Sequence, residues 1–235
     1  MKLLISTFIV FLIYCILLLG AESQVEVGAL VGIAFIASLF GKKLGFMERL
    51  ALAVKEHPQF PAVAAVVGTL ITIVVFHNSH FALLMLATVL IYSIVCLGLN
   101  IQFGYVGIVN FAGAAFFGIG SYTAAVLATH TAVPHLLVLL IAALVSALIG
   151  SILIYPVLRT RGHYAALVTI AFGILFRNFL EVNDTLGGPQ GLKIPPLTIF
   201  GWNLSEGLQI GGIDISFYVP YLLIALILLV ATFCI

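Results

Sequence analysis

Long apolar runs alternate with short polar or Pro/Gly-punctuated segments along the whole chain. Eight such runs lie at about 3–20, 25–41, 60–76, 81–99, 111–129, 135–158, 163–180 and 218–235. Each is near the roughly 20 residues an α-helix needs to cross hydrocarbon. None shows the period-two alternation of a barrel strand. In lipid, a backbone that is not a closed barrel must satisfy its own hydrogen bonds as a helix. The pattern therefore predicts an all-α polytopic membrane protein with about eight transmembrane helices.

Composition sharpens this. The chain is 63% hydrophobic and 7% charged, against about 25% charged in soluble domains. From His57 to Leu158 there is no Lys, Arg, Asp or Glu. A net charge of +1 gives no reason to expect nucleic-acid binding. Cys15, Cys96 and Cys234 are far apart in apolar runs, with neither metal nor disulfide spacing, and read as small packing residues.

The basic residues predict the orientation. With the N-terminus in the cytoplasm, Lys2, Lys42, Lys43, Arg49, Lys55, Arg159 and Arg161 fall inside. Lys193 falls outside, and Arg177 sits near the outer end of the seventh run. The first run could be a cleaved signal peptide, but its long apolar core and the lack of a small-residue cleavage site favour a retained helix. The last run ends at Ile235 with no polar flank, and the expectation is a span cut short.

Two regions depart from plain apolar helix. In "GLNIQFGYVGIVNFAGAAFFGIGSY" (98–122), Gly113, Phe117, Gly120 and Ala124 form one helical stripe, with Ala114 and Gly118 a small-xxx-small pair beside it. Small residues let helices approach closely in lipid. Before them, Asn100, Gln102 and Asn110 are amides that need partners or water at membrane depth, with Gly104 and Gly107 expected to break the helix. Two readings stand side by side: a broken or re-entrant segment near 100–113 lining a substrate path, or a turn between the fourth and fifth spans.

The second region is "RGHYAALVTIAFGILFRNFLEVNDTLGGPQGLKIPP" (161–196). Thr169 and Gly173 lie four apart on one helical face. Arg177 either snorkels and pairs with Glu181 or meets an anionic substrate at the outer mouth. "LGGPQG" reads as a turn, and Trp202 in the stretch after it suggests a surface helix or a docking surface. His57, His77, His80, His130, His135 and His163 lie at span ends, and no catalytic or metal-binding arrangement is evident.

Together, "GLNIQFGYVGIVNFAGAAFFGIGSYTAAVL" and "GHYAALVTIAFGILFRNFLEVNDTLGGPQGL" resemble the signature stretches of branched-chain amino acid ABC importer permeases of the LivM/LivH type, closer to LivM. The resemblance runs from about Leu83 to Ile235. It implies accessory transmembrane helices over 1–80 and a permease core over 81–235 that lacks the ATPase-coupling loop. It also implies a homologous second permease, two cytoplasmic ATPase subunits carrying ATP and Mg, a periplasmic amino-acid-binding protein, and the bacterial inner membrane. No cofactor is expected in this chain.

On that resemblance, Asn100, Gln102, Tyr105, Asn110, Gly113, Gly118, Gly120, Tyr122 and Thr169 belong to the substrate path. Arg177, Gly187, Gly188 and Gly191 belong to the outer surface near the binding protein. Ile174 stands where many relatives have Glu, and Ala165 replaces a usual Phe, which loosens the inference about substrate. A urea or short-amide permease of the same family, and a passive channel or structural membrane subunit, stay open as alternatives.

Overall fold

The computed structural model describes residues 1–43, 45–107, 110–159, 163–196, 198–199, 202–203, 208–210 and 213–233. Its helices are α1 (Lys2–Gly20), α2 (Gln24–Lys43), α3 (Phe46–Glu56), α4 (Phe60–Val75), α5 (His80–Ile101), α6 (Gly113–His130), α7 (His135–Arg159), α8 (His163–Val182) and α9 (Tyr218–Phe233). A helix stands at each of the eight predicted places. Among the described residues, five helical segments are long and apolar enough to cross a membrane alone, and α3 with α4 makes a sixth if that pair is one span. Two fall short. The 16 described residues of α9 reach about 24 Å at 1.5 Å per residue, and glycines, Ser121, Tyr122, Thr123 and Thr129 dilute the apolarity of α6.

Local chemistry sets the helix ends. At the start of α2, Ser23 Oγ accepts from Glu26 N–H at 3.2 Å and Glu26 Oε2 accepts from Ser23 N–H at 3.3 Å. This reciprocal pair satisfies two donors that the first turn leaves free. Lys42 and Lys43 occupy the last turn of α2, at the negative end of its dipole. A proline sits in the first turn of α4, where its missing N–H costs nothing.

The apolar surface is the clearest sign of the solvent. None of the residues of α2 is buried, and α1 buries only Leu4. Water would not tolerate such faces at this extent; hydrocarbon does, because lipid tails are as apolar as the side chains they meet.

Contacts divide the chain into two units, Met1–Thr88 with Gln209–Leu222, and Val89–Leu208 with Leu223–Ile235. In the first, α1 packs on α4 at Gly68, where a Cβ would come within 3.3 Å of the Phe8 ring. His80 Nδ1 lies 2.8 Å from Ser216 Oγ, and Ser216 N–H donates to the His77 carbonyl at 3.1 Å. In the second unit α6 packs along α7, with Ser146 Oγ donating to the Phe116 carbonyl at 3.0 Å. Ala112, Ala115, Ile119, Ala125, Val138 and Ala142 are buried in this unit. The core is built of small residues, as close helix approach in lipid requires.

Three expectations need correction. First, α3 is a helix within what the sequence reads as a polar connection. Its charged residues hide an amphipathic face on which Phe46, Leu50, Ala53 and Val54 are half-buried. Second, the helix does not break at Gly104: α5 continues as a π-helical turn over Gln102–Val106 and stops at Gly107, which has φ +68°. The sharp bend, 99°, falls instead between α3 and α4. Third, the described residues around Trp202 are extended rather than helical. Thr198–Ile199 (β1) pairs antiparallel with Trp202–Asn203 (β2), and Leu208–Ile210 (β3) pairs with Ile213–Ile215 (β4). β-branched residues around a Gly-Gly dipeptide in "LQIGGIDI" favour paired strands over helix.

Candidate functional site

Two of the three amides of the first signature stretch, Gln102 and Asn110, find partners. Asn110 lies between the turn at Gly107 and the first residue of α6. Its Oδ1 accepts the Ala112 N–H at 2.8 Å, an i to i+2 bond that supplies a partner near the helix start. Because that N–H can only donate, the oxygen must face it, and Nδ2 is left to donate to Gln102 Oε1 at 2.8 Å. The π turn and the start of α6 are thereby stitched together across the chain reversal.

Thr169 extends the network to α8. It is 2% exposed. Its hydroxyl donates back to the carbonyls of Ala166 and Ala165, at 2.9 and 3.1 Å, and accepts the Phe111 N–H at 3.1 Å. Each bond contributes about 0.5–1.5 kcal/mol net. Thr169 therefore holds α6 at one height on α8.

Above this tie the two helices run side by side in the same direction. Phe111 meets Thr169, and seven residues later on both helices Gly118 meets Phe176. At Gly118 a Cβ would lie 2.7 Å from Phe176 Cε1, closer than side chains approach. Higher still, Tyr122 Oη lies 3.9 Å from where a Gly191 Cβ would be.

Along the seam runs a groove of about 590 Å³, within the roughly 300–1,000 Å³ of small-molecule sites. Phe111, just before α6, and Ala114, Ala115, Gly118 and Tyr122 on it form one side; α8 supplies Ile170, Gly173, Ile174, Phe176, Arg177, Leu180 and Glu181; Gly188 and Pro189 complete the lining. The walls are apolar. The charged groups, Arg177 and Glu181, are paired with Arg177 Nε donating to Glu181 Oε1 at 2.8 Å.

The loop beside these charges is a pair of single 3₁₀ turns, Asp184–Leu186 and Gly188–Gln190. Asn183 opens it, accepting the Thr185 N–H on its side chain at 3.2 Å and the Gly188 N–H on its carbonyl at 3.2 Å. Gly187 has φ +85°, and a Cβ there would stand 2.1 Å from the Gly191 carbonyl oxygen. Only glycine fits this fold of the loop.

The structure thus pairs Gln102 with Asn110, sets Thr169 on the adjacent Phe111 N–H, and brings Gly118, Tyr122, Arg177 and Gly188 into one groove. It does not bring in Asn100, which is exposed on α5, or Tyr105, which is 89% exposed. Gly113 meets Leu99 at 3.1 Å rather than a distant helix, and Gly120 faces open space. The expected Gly113–Phe117–Gly120–Ala124 stripe is therefore not the close seam; Phe117 is 44% exposed, and the tight approach is at Gly118. The apolar lining from Phe111, Ile170 and Leu180 was not singled out from the sequence, although Ile170, Gly173, Ile174 and Arg177 recur at helical spacing. Among the described residues no group of three or more His, Cys, Asp or Glu is placed to hold a metal ion.

The sequence pattern described as "Branched-chain amino acid transport system / permease component" matches residues 81–235. The chain is 41% identical over 127 residues to the high-affinity branched-chain amino acid transport system permease protein LivM of Salmonella typhimurium. It is 40% identical over 127 residues to the protein of the same name from Escherichia coli. Each match covers 53% of this chain and 30% of the relative, so the chain aligns with less than a third of the relatives' length. No solved structure matches it.

Proposed function

Because the chain belongs to the family of branched-chain amino acid transport system permease components, whose pattern covers residues 81–235, we propose that it is the membrane permease of an ABC importer for branched-chain amino acids. In this reading residues 1–80 are accessory helices and the transport path is built from residue 81 onward. A second, homologous permease completes the path. Two cytoplasmic ATPase subunits with bound ATP and Mg drive alternating access, and a periplasmic binding protein delivers the amino acid. The chain is a multi-pass membrane protein, and we place it in the bacterial inner membrane with the N-terminus in the cytoplasm.

The observation that carries the reading is the apolar groove between α6 and α8, with Phe111, tied to Thr169, in its lining and the charged groups Arg177 and Glu181 beside its apolar walls. A small, branched, apolar side chain gains from leaving water for such walls, at about 25 cal/mol per Å² buried. In proteoliposomes holding the assembled transporter, leucine uptake should require ATP and the binding protein. Flux that needs neither would make this a channel, and uptake of urea in place of leucine would change the substrate class.

Orientation has its own check. Lys193→Cys should react with an impermeant maleimide added outside intact cells, and Arg159→Cys only after the membrane is opened. The reverse labelling would invert the topology and put the groove's charged end in the cytoplasm.

A further inference from the structure

The Arg177–Glu181 pair is poorly explained as a device for stabilising α8. Its order along the helix is the weaker one, because a carboxylate N-terminal to its cation is the arrangement that favours a helix. Glu181 lies in the last turn of α8, where the negative end of the helix dipole opposes a carboxylate. The two side chains are 78% and 46% exposed, and exposed pairs contribute about 0–1 kcal/mol. The partners are therefore easily drawn apart by a ligand that offers each a better counter-charge.

Both groups line the groove whose walls are Ile170, Ile174, Phe111 and Phe176. One small molecule fits that combination: a zwitterion with a single apolar side chain. Resting on the proposed function, we infer that Arg177 and Glu181 are a split recognition site for the α-carboxylate and α-ammonium of the transported amino acid, with its side chain on the apolar walls. Arg177 uses one N–H in the Glu181 contact, and its planar fork retains donors suited to a carboxylate. Glu181 has acceptor capacity beyond that single contact for an ammonium group. Insertion of the zwitterion exchanges one weak pair for two charge-assisted contacts.

The test is a competition assay on leucine uptake by the assembled transporter, with leucinamide, which lacks the carboxylate, and 4-methylpentanoate, which lacks the ammonium. Wild type should reject both. Arg177→Gln should lower leucine uptake about tenfold or more and narrow the discrimination against leucinamide. Glu181→Gln should narrow the discrimination against 4-methylpentanoate. The swap Arg177→Glu with Glu181→Arg keeps an i,i+4 ion pair, so a purely structural pair would tolerate it; the recognition role requires uptake to fall. Wild-type uptake in the swap, or an equal loss toward all three compounds in the single variants, overturns the inference and leaves the proposed function standing. A wild-type transporter that takes up urea but no α-amino acid overturns both.

Discussion

Leucine at position 118 should reduce uptake by the assembled transporter about tenfold or more, while alanine there should cost much less. The reason is the closeness of α6 to α8. Even the first carbon of a side chain on Gly118 would lie 2.7 Å from Phe176 Cε1. Alanine adds that one carbon, which a small turn of the Phe176 ring edge admits; a larger shift is opposed by its stack on Phe172, with centroids 6.4 Å apart, and by Phe116, 6.0 Å from Phe172. Leucine adds three more carbons that have only the groove to enter. Overpacking of this kind costs about 1–3 kcal/mol in folding, so part of the loss should appear as a lower melting temperature in detergent. Phe176→Ala in the Gly118→Leu background should restore the melting temperature. If Gly118→Leu transports like wild type, the groove is not on the path.

Gly187→Val should be the most damaging substitution in the loop after α8. A β-branched residue at φ +85° is strained by about 1–2 kcal/mol, and its Cβ would stand 2.1 Å from the Gly191 oxygen and 2.4 Å from the Gly191 carbonyl carbon. Those are backbone atoms, so no rotamer relieves the overlap and the loop must refold. Gly191→Ala is the graded control. It has φ +73°, but its nearest neighbour would be Tyr122 Oη at 3.9 Å, so it carries conformational strain without collision. The expected result is rapid protease cleavage within 183–193 and loss of binding-protein-dependent uptake for Gly187→Val, and a mild defect for Gly191→Ala. Equal, small effects of both would show that the tight form of the loop is not needed.

The helices were legible because each is an uninterrupted apolar run, and in lipid such a run has essentially one way to satisfy its backbone. Helix α3 escaped notice because Glu48, Arg49, Lys55 and Glu56 look like a solvated connection until the half-buried face of Phe46, Leu50, Ala53 and Val54 is seen. The amides were legible as residues that needed partners, and Gln102 and Asn110 do pair with each other, while Thr169 takes the next backbone N–H, that of Phe111. That Asn100 would stay outside the network was not legible, since three amides in one stretch look alike. Nor was the choice of Gly118 over Gly120. A helix that is apolar all round carries no moment to say which face meets a neighbour, and only the position of Phe176 on another helix decides it. Ile170 is the instructive case: it lines the groove while 41% exposed, and a lone isoleucine in an apolar run gives no sign of such a role.

The alignment of α6 with α8 bears on how the protein moves. The helices are fastened at successive heights, by the Phe111 N–H on Thr169 and by Phe176 packed over Gly118. To slide one helix past the other by a turn, about 5.4 Å, would break the hydrogen bond and drive the Phe176 ring into a Cβ-bearing neighbour. Shear along this seam is therefore stiff, whereas nothing in those two fastenings resists the pair tilting together. The pair behaves as one stave of a barrel rather than as a piston in a sleeve, and gating must be sought at its edges.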